Sequence, residues 1–271
     1  MDLFIIGNGF DLAHGLKTTY SDFRTFLEIN DPGYLHRFEE LFNEYRYEQY
    51  YLWSDFEEHI CFPEHKNVQR LKELISYVER LHIKLREWIE TIKLNTQERM
   101  SSKINPESDD IFISFNYTMM LEELYEIDEK NIWHIHGSIK EKERNLIIGH
   151  YNIPNFEHIK HMYYGEKLED DEHDIYEQAF YYQTKTLKYD HFIPFSNVLK
   201  NINQVHIIGH SLGFADEPFF YQLGEMVGEN VDWNVYYYDE PYGYRLNMLF
   251  PIAQIAPNIK DLPLKTILDL A

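Results

Sequence analysis

The sequence predicts an α/β protein: a doubly wound, mostly parallel sheet of about six strands, carrying helical insertions. Three observations lead there. Short apolar runs recur along the chain at Leu3 to Ile6, Ile111 to Phe115, Ile132 to Ile135, Leu146 to Ile148, Val205 to Ile208 and Trp233 to Tyr238. Several are continuously apolar rather than alternating, as parallel strands buried on both faces are. Four of them run straight into polar or glycine-bearing segments, at the strand ends where open α/β sheets bind ligands.

The first run turns at Gly7-Asn8-Gly9-Phe10-Asp11-Leu12 into what reads as a helix. Glycines at 7 and 9 let backbone N–H groups approach a ligand without a Cβ between, and a helix N-terminus behind them suits a phosphate. The dinucleotide fingerprint wants a third glycine where Leu12 stands, so this is not the ordinary dehydrogenase signature. A tight strand-to-helix turn with no ligand is the other reading of the same residues. Thr19-Tyr20-Ser21-Asp22 reads as the cap of a helix through Phe23 and Phe26, and Ser54 to Glu57 as a capping box. From Val68, the residues Leu71, Leu74, Ile75, Val78, Leu81, Leu85, Trp88, Ile89 and Ile92 repeat with helical spacing and predict one long amphipathic helix. The tract of about 156–203 is rich in charge and tyrosine, with an acidic run from Glu166 to Asp174. It has no strand pattern and reads as a helical insertion or cap. The expected organisation is one α/β domain over 1–271 with insertions at about 34–100 and 156–203.

Composition narrows the partners. Forty-six acidic against 25 basic residues give a formal charge of −21, which repels phosphate backbones and argues against general nucleic-acid binding. It leaves room for a small anion held by backbone amides. The single cysteine, Cys61, excludes an intramolecular disulfide and a cysteine-built zinc site. No apolar stretch has the length of a membrane span and no leader pattern precedes the first strand, so a cytoplasmic protein is expected.

Three later segments carry candidate chemistry. In Ser114-Phe115-Asn116-Tyr117-Thr118, the Asn116 amide can both donate and accept, which suits a ribose; a helix N-cap role for Asn116 or Thr118 is the alternative. In His134-Ile135-His136-Gly137, residues two apart share a strand face, so His134 and His136 form a possible metal pair with His150, His206 and His210 as further candidates. A single working histidine, His136, is the preferred reading, beside a structural histidine bonded to backbone. Gly209-His210-Ser211-Leu212-Gly213 matches the G-x-S-x-G nucleophile elbow. That topology orders its triad Ser, acid, His, and no histidine follows His210. Ser211 is therefore read as a ligand-contacting or capping residue. Asp216 and Glu217 read as a helix first turn.

Taken together the segments resemble the AbiH family, bacterial proteins linked to abortive phage infection. The resemblance is carried by Gly7 to Phe23, Trp53 to Glu57, Phe115 to Thr118, His134 to Gly137 and Gly209 to Asp216, in the family's order. More distantly the pattern is similar to the sirtuin-like, Rossmann-like NAD-binding superfamily. That resemblance implies a dinucleotide loop at Gly7, Asn8, Gly9, Phe10 and Asp11, with Gly7 and Gly9 on the pyrophosphate. It implies Asn116 at the ribose and its water, His136 as catalytic base, Gly209, Ser211 and Leu212 lining the adenosine side, and Asp216 among the ligand-binding residues. Asp22-Phe23-Arg24 resembles the sirtuin Asp-Phe-Arg but lies farther from the glycine loop. The sirtuin zinc module needs four cysteines, so a protein deacylase is not expected.

The expected activity is hydrolysis of NAD+ at the nicotinamide–ribose bond in anti-phage defence, with NAD+ as substrate, no prosthetic group and no metal. Asp11 would stabilise the developing positive charge. The alternative is a sensor module that binds NAD+ or an ADP-ribose nucleotide and acts through partners. A homo-oligomer or a phage-derived trigger fits either.

Overall fold

The computed structural model describes residues 1–43, 53, 56–59, 68–94, 104, 106–142, 146–148, 150–151, 184–185, 196–213, 216–227, 231–237 and 259–263. The chain divides into two compact units. One comprises Met1–Thr18, Ile89–Arg144 and Leu187–Ala271, the other Thr19–Trp88 and Asn145–Thr186.

The first unit holds a parallel sheet. Its strands are β1 (Leu3–Ile6), β2 (Ile111–Ser114), β3 (Ile132–His134), β6 (Gln204–Ile208), β7 (Asp232–Tyr237) and β8 (Ile259–Pro263). They lie in the order β3-β2-β1-β6-β7-β8, each pair parallel. Five of the six predicted runs are therefore five adjacent strands of one sheet. The ladder extends past the formal ends of two of them, because Phe115 N–H donates to the Ile6 carbonyl and Ile135 N–H to the Ser114 carbonyl.

Alternation along the strands separates two cores. Leu3, Ile5, Ile111, Ile113, Val205, Ile207 and Val235 face a cluster that takes in Phe219, Phe220 and Leu223. These last three belong to the helix Glu217–Met226. Phe4, Ile6, Phe112 and Tyr236 face the opposite cluster, with Phe10 from α1 (Asn8–Ala13) and Met120 and Leu121 from the helix Met120–Glu123. Helices thus cover both faces of the sheet, which is why its strands are apolar throughout.

In the second unit α2 (Tyr20–Asn30) opens with the predicted capping box: the Thr19 side chain accepts from Asp22 N–H and the Asp22 side chain accepts from Thr19 N–H. α3 (Pro32–Asn43) follows, then α4 (Phe56–His59) and α5 (Val68–Ile89), the long amphipathic helix. Leu74, Val78, Leu81, Leu85 and Trp88 are buried along its apolar stripe. Arg37 holds Glu73 through two bonds of 2.7 Å and ties α3 to α5. Ser54, and with it the second capping box, lies outside the described residues.

Two expectations are corrected here. Leu146 to Ile148 is not a strand: both Leu146 and Ile148 are buried, but the Leu146 carbonyl meets His82 Nδ1 at 2.7 Å instead of entering a ladder. The adjacent β4 (His150–Tyr151) pairs in parallel with β5 (Thr184–Lys185), so the tract of 156–203 does contribute a strand. That tract also holds the short helix α6 (Ser196–Leu199); apart from β5, its residues before 196 lie outside the described residues.

At the ends of β1 and β6 two backbones touch. A Cβ on Gly7 would stand 2.4 Å from His210 Cα, and one on Gly9 2.8 Å from Gly209 Cα, whereas one on Gly213 would meet only Ser211 Oγ at 3.7 Å. Gly7→Ala and Gly9→Ala are therefore expected to cost about 1–3 kcal/mol each, and Gly213→Ala to stay within about 0.5 kcal/mol of wild type. Chemical-denaturation midpoints check this, and equal midpoints for all three variants would refute the packing role.

Candidate functional site

The strand order reverses between β1 and β6, the topological switch point where open α/β sheets take ligands. The two connections leaving those strands bond to each other. Gly7 N–H donates to the Ile208 carbonyl at 2.9 Å and Gly9 N–H to the Gly209 carbonyl at 2.7 Å. Gly209 sits at φ +63, and a Cβ there would meet Phe10 N at 2.4 Å. The glycines let one main chain lie against another, and the N–H groups expected to face a pyrophosphate are engaged by protein carbonyls.

Beneath this contact lies the carboxylate of Asp11, 1% exposed. Asn116 Nδ2 donates to Asp11 Oδ1 at 2.9 Å and to the Gly7 carbonyl at 3.1 Å. Thr118 Oγ1 donates to Asp11 Oδ2 at 2.8 Å. Two acceptors around Nδ2 fix the orientation of the Asn116 amide, since both of its hydrogens are used. Oδ1 remains, as an acceptor only, so Asn116 can receive a bond from a hydroxyl or water but has no donor left to offer. Burial is the main influence on Asp11 and pushes its carboxyl up to about 7; the bonds from Thr118 and Asn116, and nearby His134, act in the opposite direction.

His134 belongs to the support of this network. Its Nε2 meets Glu122 Oε1 at 2.8 Å and its Nδ1 the Asn116 carbonyl at 3.2 Å. It pins the backbone of Asn116 from behind.

His136 lies elsewhere. Strand β3 ends at His134 and the chain turns at Gly137, which has φ +80. The turn carries His136 to Asp216, its Nε2 3.4 Å from Asp216 Oδ1. His210 Nε2 stands 3.4 Å from the other oxygen, Oδ2. One buried carboxylate is thus shared by two buried imidazoles. Asp216 occupies the N-cap position of the helix Glu217–Met226, yet its side chain makes no capping bond. The ring of Phe115 meets both imidazoles edge-on, with centroids 5.1 Å from His136 and 4.2 Å from His210.

The predicted residues therefore fall into groups. Gly7, Gly9, Asp11 and Asn116 are joined through the Asp11 network, and His136 and Asp216 through the imidazole cluster. Phe10 and Leu212 are core residues, Phe10 tilted against His14 and Tyr125. The Asn8 side chain donates to the Thr18 carbonyl at 3.0 Å. Ser211 is exposed. The possible metal pair of His134 and His136 is not formed: His134 lies at Glu122 and His136 at Asp216. His206 is drawn off to Asp2 and Tyr236, and nothing further is described for His150 than its place in β4. Among the described residues no group of three His, Cys, Asp or Glu side chains is arranged to hold a metal. Sequence reasoning missed Thr118 as a partner of Asp11 and His210 as the second imidazole on Asp216. The only signal for the latter was the position of His210 at a strand end six residues before Asp216.

Comparison with known proteins adds one finding. The family model described as bacteriophage abortive infection AbiH matches residues 3–69 and 61–237. No curated protein and no solved structure matches the chain.

The Asp11 carboxyl gives a pH signature. Its folded-state value lies above the ordinary 3.8, so between about pH 4 and 7 the folded protein keeps a proton that the unfolded chain has lost. This contribution to stability is complete below pH 4 and is lost as pH rises through about 7, by up to about 1.4 kcal/mol per pH unit. Asp11→Asn cannot titrate, so the stability of the variant relative to wild type should climb across that window. Parallel melting profiles of the two proteins from pH 4 to 7 would contradict it.

Proposed function

The chain belongs to the AbiH family of bacteriophage abortive infection proteins, and from that premise we propose that it is a defence effector which hydrolyses NAD+ at the nicotinamide–ribose bond. The observation that carries this reading is His136 buried beside Asp216 beyond the carboxyl edge of a parallel sheet, with 3.4 Å between Nε2 and Oδ1 and no hydrogen bond from that nitrogen. A histidine beside a carboxylate is the pairing general-base chemistry uses, and such pairs commonly close into a hydrogen bond only when substrate arrives. In the reaction, water attacks C1′ of the ribose as the C1′–N1 bond breaks. The bonding pair goes to the pyridinium nitrogen, which leaves as neutral nicotinamide, and His136 takes the proton lost by water. Asn116 Oδ1 is suited to accept from that water or from a ribose hydroxyl. Asp11, whose carboxyl sits near neutrality, supplies negative charge beside the developing oxocarbenium when ionised.

A second reading, a sensor of NAD+ or ADP-ribose that acts through partner proteins, draws on a different observation. The N–H groups of Gly7 and Gly9 and both Nδ2 hydrogens of Asn116 are engaged within the protein, as in a latch rather than a reaction centre. Among the described residues no helix is long and apolar enough to cross a membrane.

Incubation of purified protein with NAD+, with products resolved by chromatography, separates them. The hydrolase should release nicotinamide and ADP-ribose, and His136→Ala should lower turnover by about 10²–10⁴-fold while NAD+ still binds. The sensor should show no turnover and a ligand-dependent rise in melting temperature that survives His136→Ala. A protein that neither cleaves nor binds NAD+ or ADP-ribose rules out both.

A further inference from the structure

We propose that His134 is a positioning residue for Asn116, its imidazole Nδ1–H taking the place of a sheet hydrogen bond that the chain gives up when it turns away at Gly137. The register of the two strands creates the gap. β2 and β3 run parallel with Ser114 opposite His134, and the last ladder bond between them runs from Ile135 N–H to the Ser114 carbonyl at 3.0 Å. Donors along a parallel strand are spaced two residues apart, so the next bond would run from Gly137 N–H to the Asn116 carbonyl. It is not made. Gly137 sits at φ +80, and its N–H turns back to the His134 carbonyl at 3.1 Å.

A side chain of β3 fills the vacancy. His134 Nδ1 meets the Asn116 carbonyl at 3.2 Å. A carbonyl oxygen only accepts, so Nδ1 carries hydrogen. On the far side of the ring Nε2 lies 2.8 Å from Glu122 Oε1, and one proton lies between those two atoms. Whichever of them holds it, Nδ1 keeps its own. The two bonds also fix the ring, because half a turn about Cβ–Cγ would put carbon atoms in both places. Ser114 Oγ reaches the same carbonyl at 3.3 Å, but it belongs to β2 and moves with it. Of the two donors, only His134 ties Asn116 to the neighbouring strand.

The consequence falls on the Asn116 side chain. Its Nδ2 donates to the Gly7 carbonyl and to Asp11 Oδ1, and its main-chain N–H to Ser114 Oγ at 3.2 Å. With the carbonyl held as well, the peptides on both sides of Cα are fixed and Oδ1 is left aimed in one direction. The turn that forfeits the ladder bond is the one that carries His136 to Asp216. His134 thus lets β3 end early without releasing the residue beside it. That Oδ1 then receives a reacting water or a ribose hydroxyl rests on the hydrolase reading above.

Asparagine and glutamine separate the two ring nitrogens. In His134→Asn the amide stands where Nδ1 does and can still donate to the Asn116 carbonyl. In His134→Gln it reaches Glu122 and leaves the carbonyl without a donor from β3. Long-range ¹H–¹⁵N correlation on labelled full-length protein should show Nδ1 of wild-type His134 protonated. The Asn116 Nδ2 hydrogens should exchange with water near the wild-type rate in His134→Asn and about tenfold faster in His134→Gln, the loss of one ordinary hydrogen bond. For NAD+ hydrolysis, His134→Gln should lower kcat by about tenfold with KM little changed, and His134→Asn should restore most of it. An unprotonated Nδ1 in the wild type overturns the proposal. So does a folded His134→Gln protein whose Asn116 amide exchanges at the wild-type rate, or a folded His134→Asn protein whose amide exchanges as fast as that of His134→Gln. The expected exchange pattern in a protein that does not turn over NAD+ upholds the positioning role and removes the hydrolase reading instead.

Discussion

Two strands that lie side by side must send their chains out of the sheet side by side as well, and in this protein they do so in main-chain contact. The connections after β1 and β6 share two hydrogen bonds, from Gly7 and Gly9 to Ile208 and Gly209, across a gap with no room for a Cβ. Much of the site follows from that approach. It leaves the Gly7 carbonyl on the β2 side, where Asn116 reaches it together with Asp11. It also fixes Gly209 in the left-handed region, which throws His210 back toward Asp216. A side chain at any of the three glycines would part the two turns and disturb both polar groups at once.

The two groups handle buried charge differently. Asp11 is met by a neutral amide and a neutral hydroxyl, with His134 acting on it from farther off, so desolvation dominates and the carboxyl titrates near neutrality. Asp216 divides its oxygens between two imidazoles, groups that can carry a proton for it. For the proposed hydrolysis, which would develop positive charge and release a proton, a carboxyl poised near neutrality and a histidine beside a carboxylate would be complementary groups. Neither arrangement improves stability over a well-packed apolar replacement, since each takes a charge-bearing group out of water.

The fold was legible where burial writes a simple pattern. Runs such as Leu3 to Ile6 and Ile111 to Ser114 are apolar because both faces of the sheet are covered, and the stripe from Leu74 to Trp88 is apolar because one face of a long helix is. β8 was invisible for the opposite reason: Ile259-Lys260-Asp261-Leu262-Pro263 lies at the sheet edge, where polar side chains and a terminal proline are tolerated. Leu146 to Ile148 misled because burial alone does not make a ladder. At the site, sequence picked out Asp11, Asn116, His136 and Asp216 from their places at strand and helix ends. It gave no means of seeing that Thr118 completes the Asp11 network or that His210 shares Asp216, because those meetings depend on which way each turn reverses.

The glycine loop is the sharpest instance of that limit. A phosphate cradle and a main-chain contact both require residues without a Cβ, so Gly7-Asn8-Gly9 satisfies either equally well as sequence. What separates them is the destination of the N–H groups, a property of the second turn rather than of the loop. Here Ile208 and Gly209 take them. A ligand that kept this arrangement would be recognised by groups the contact leaves over: the Asn116 oxygen, His136, and the turn from Gly209 to Gly213. A ligand that displaced it would have to replace two main-chain bonds and separate β1 from β6 at their ends. Since Asp11 and His210 are both anchored to that junction, such a displacement would move the Asp11 network and the His210–Asp216–His136 cluster together, which makes the junction the natural place for the two polar groups to be coupled.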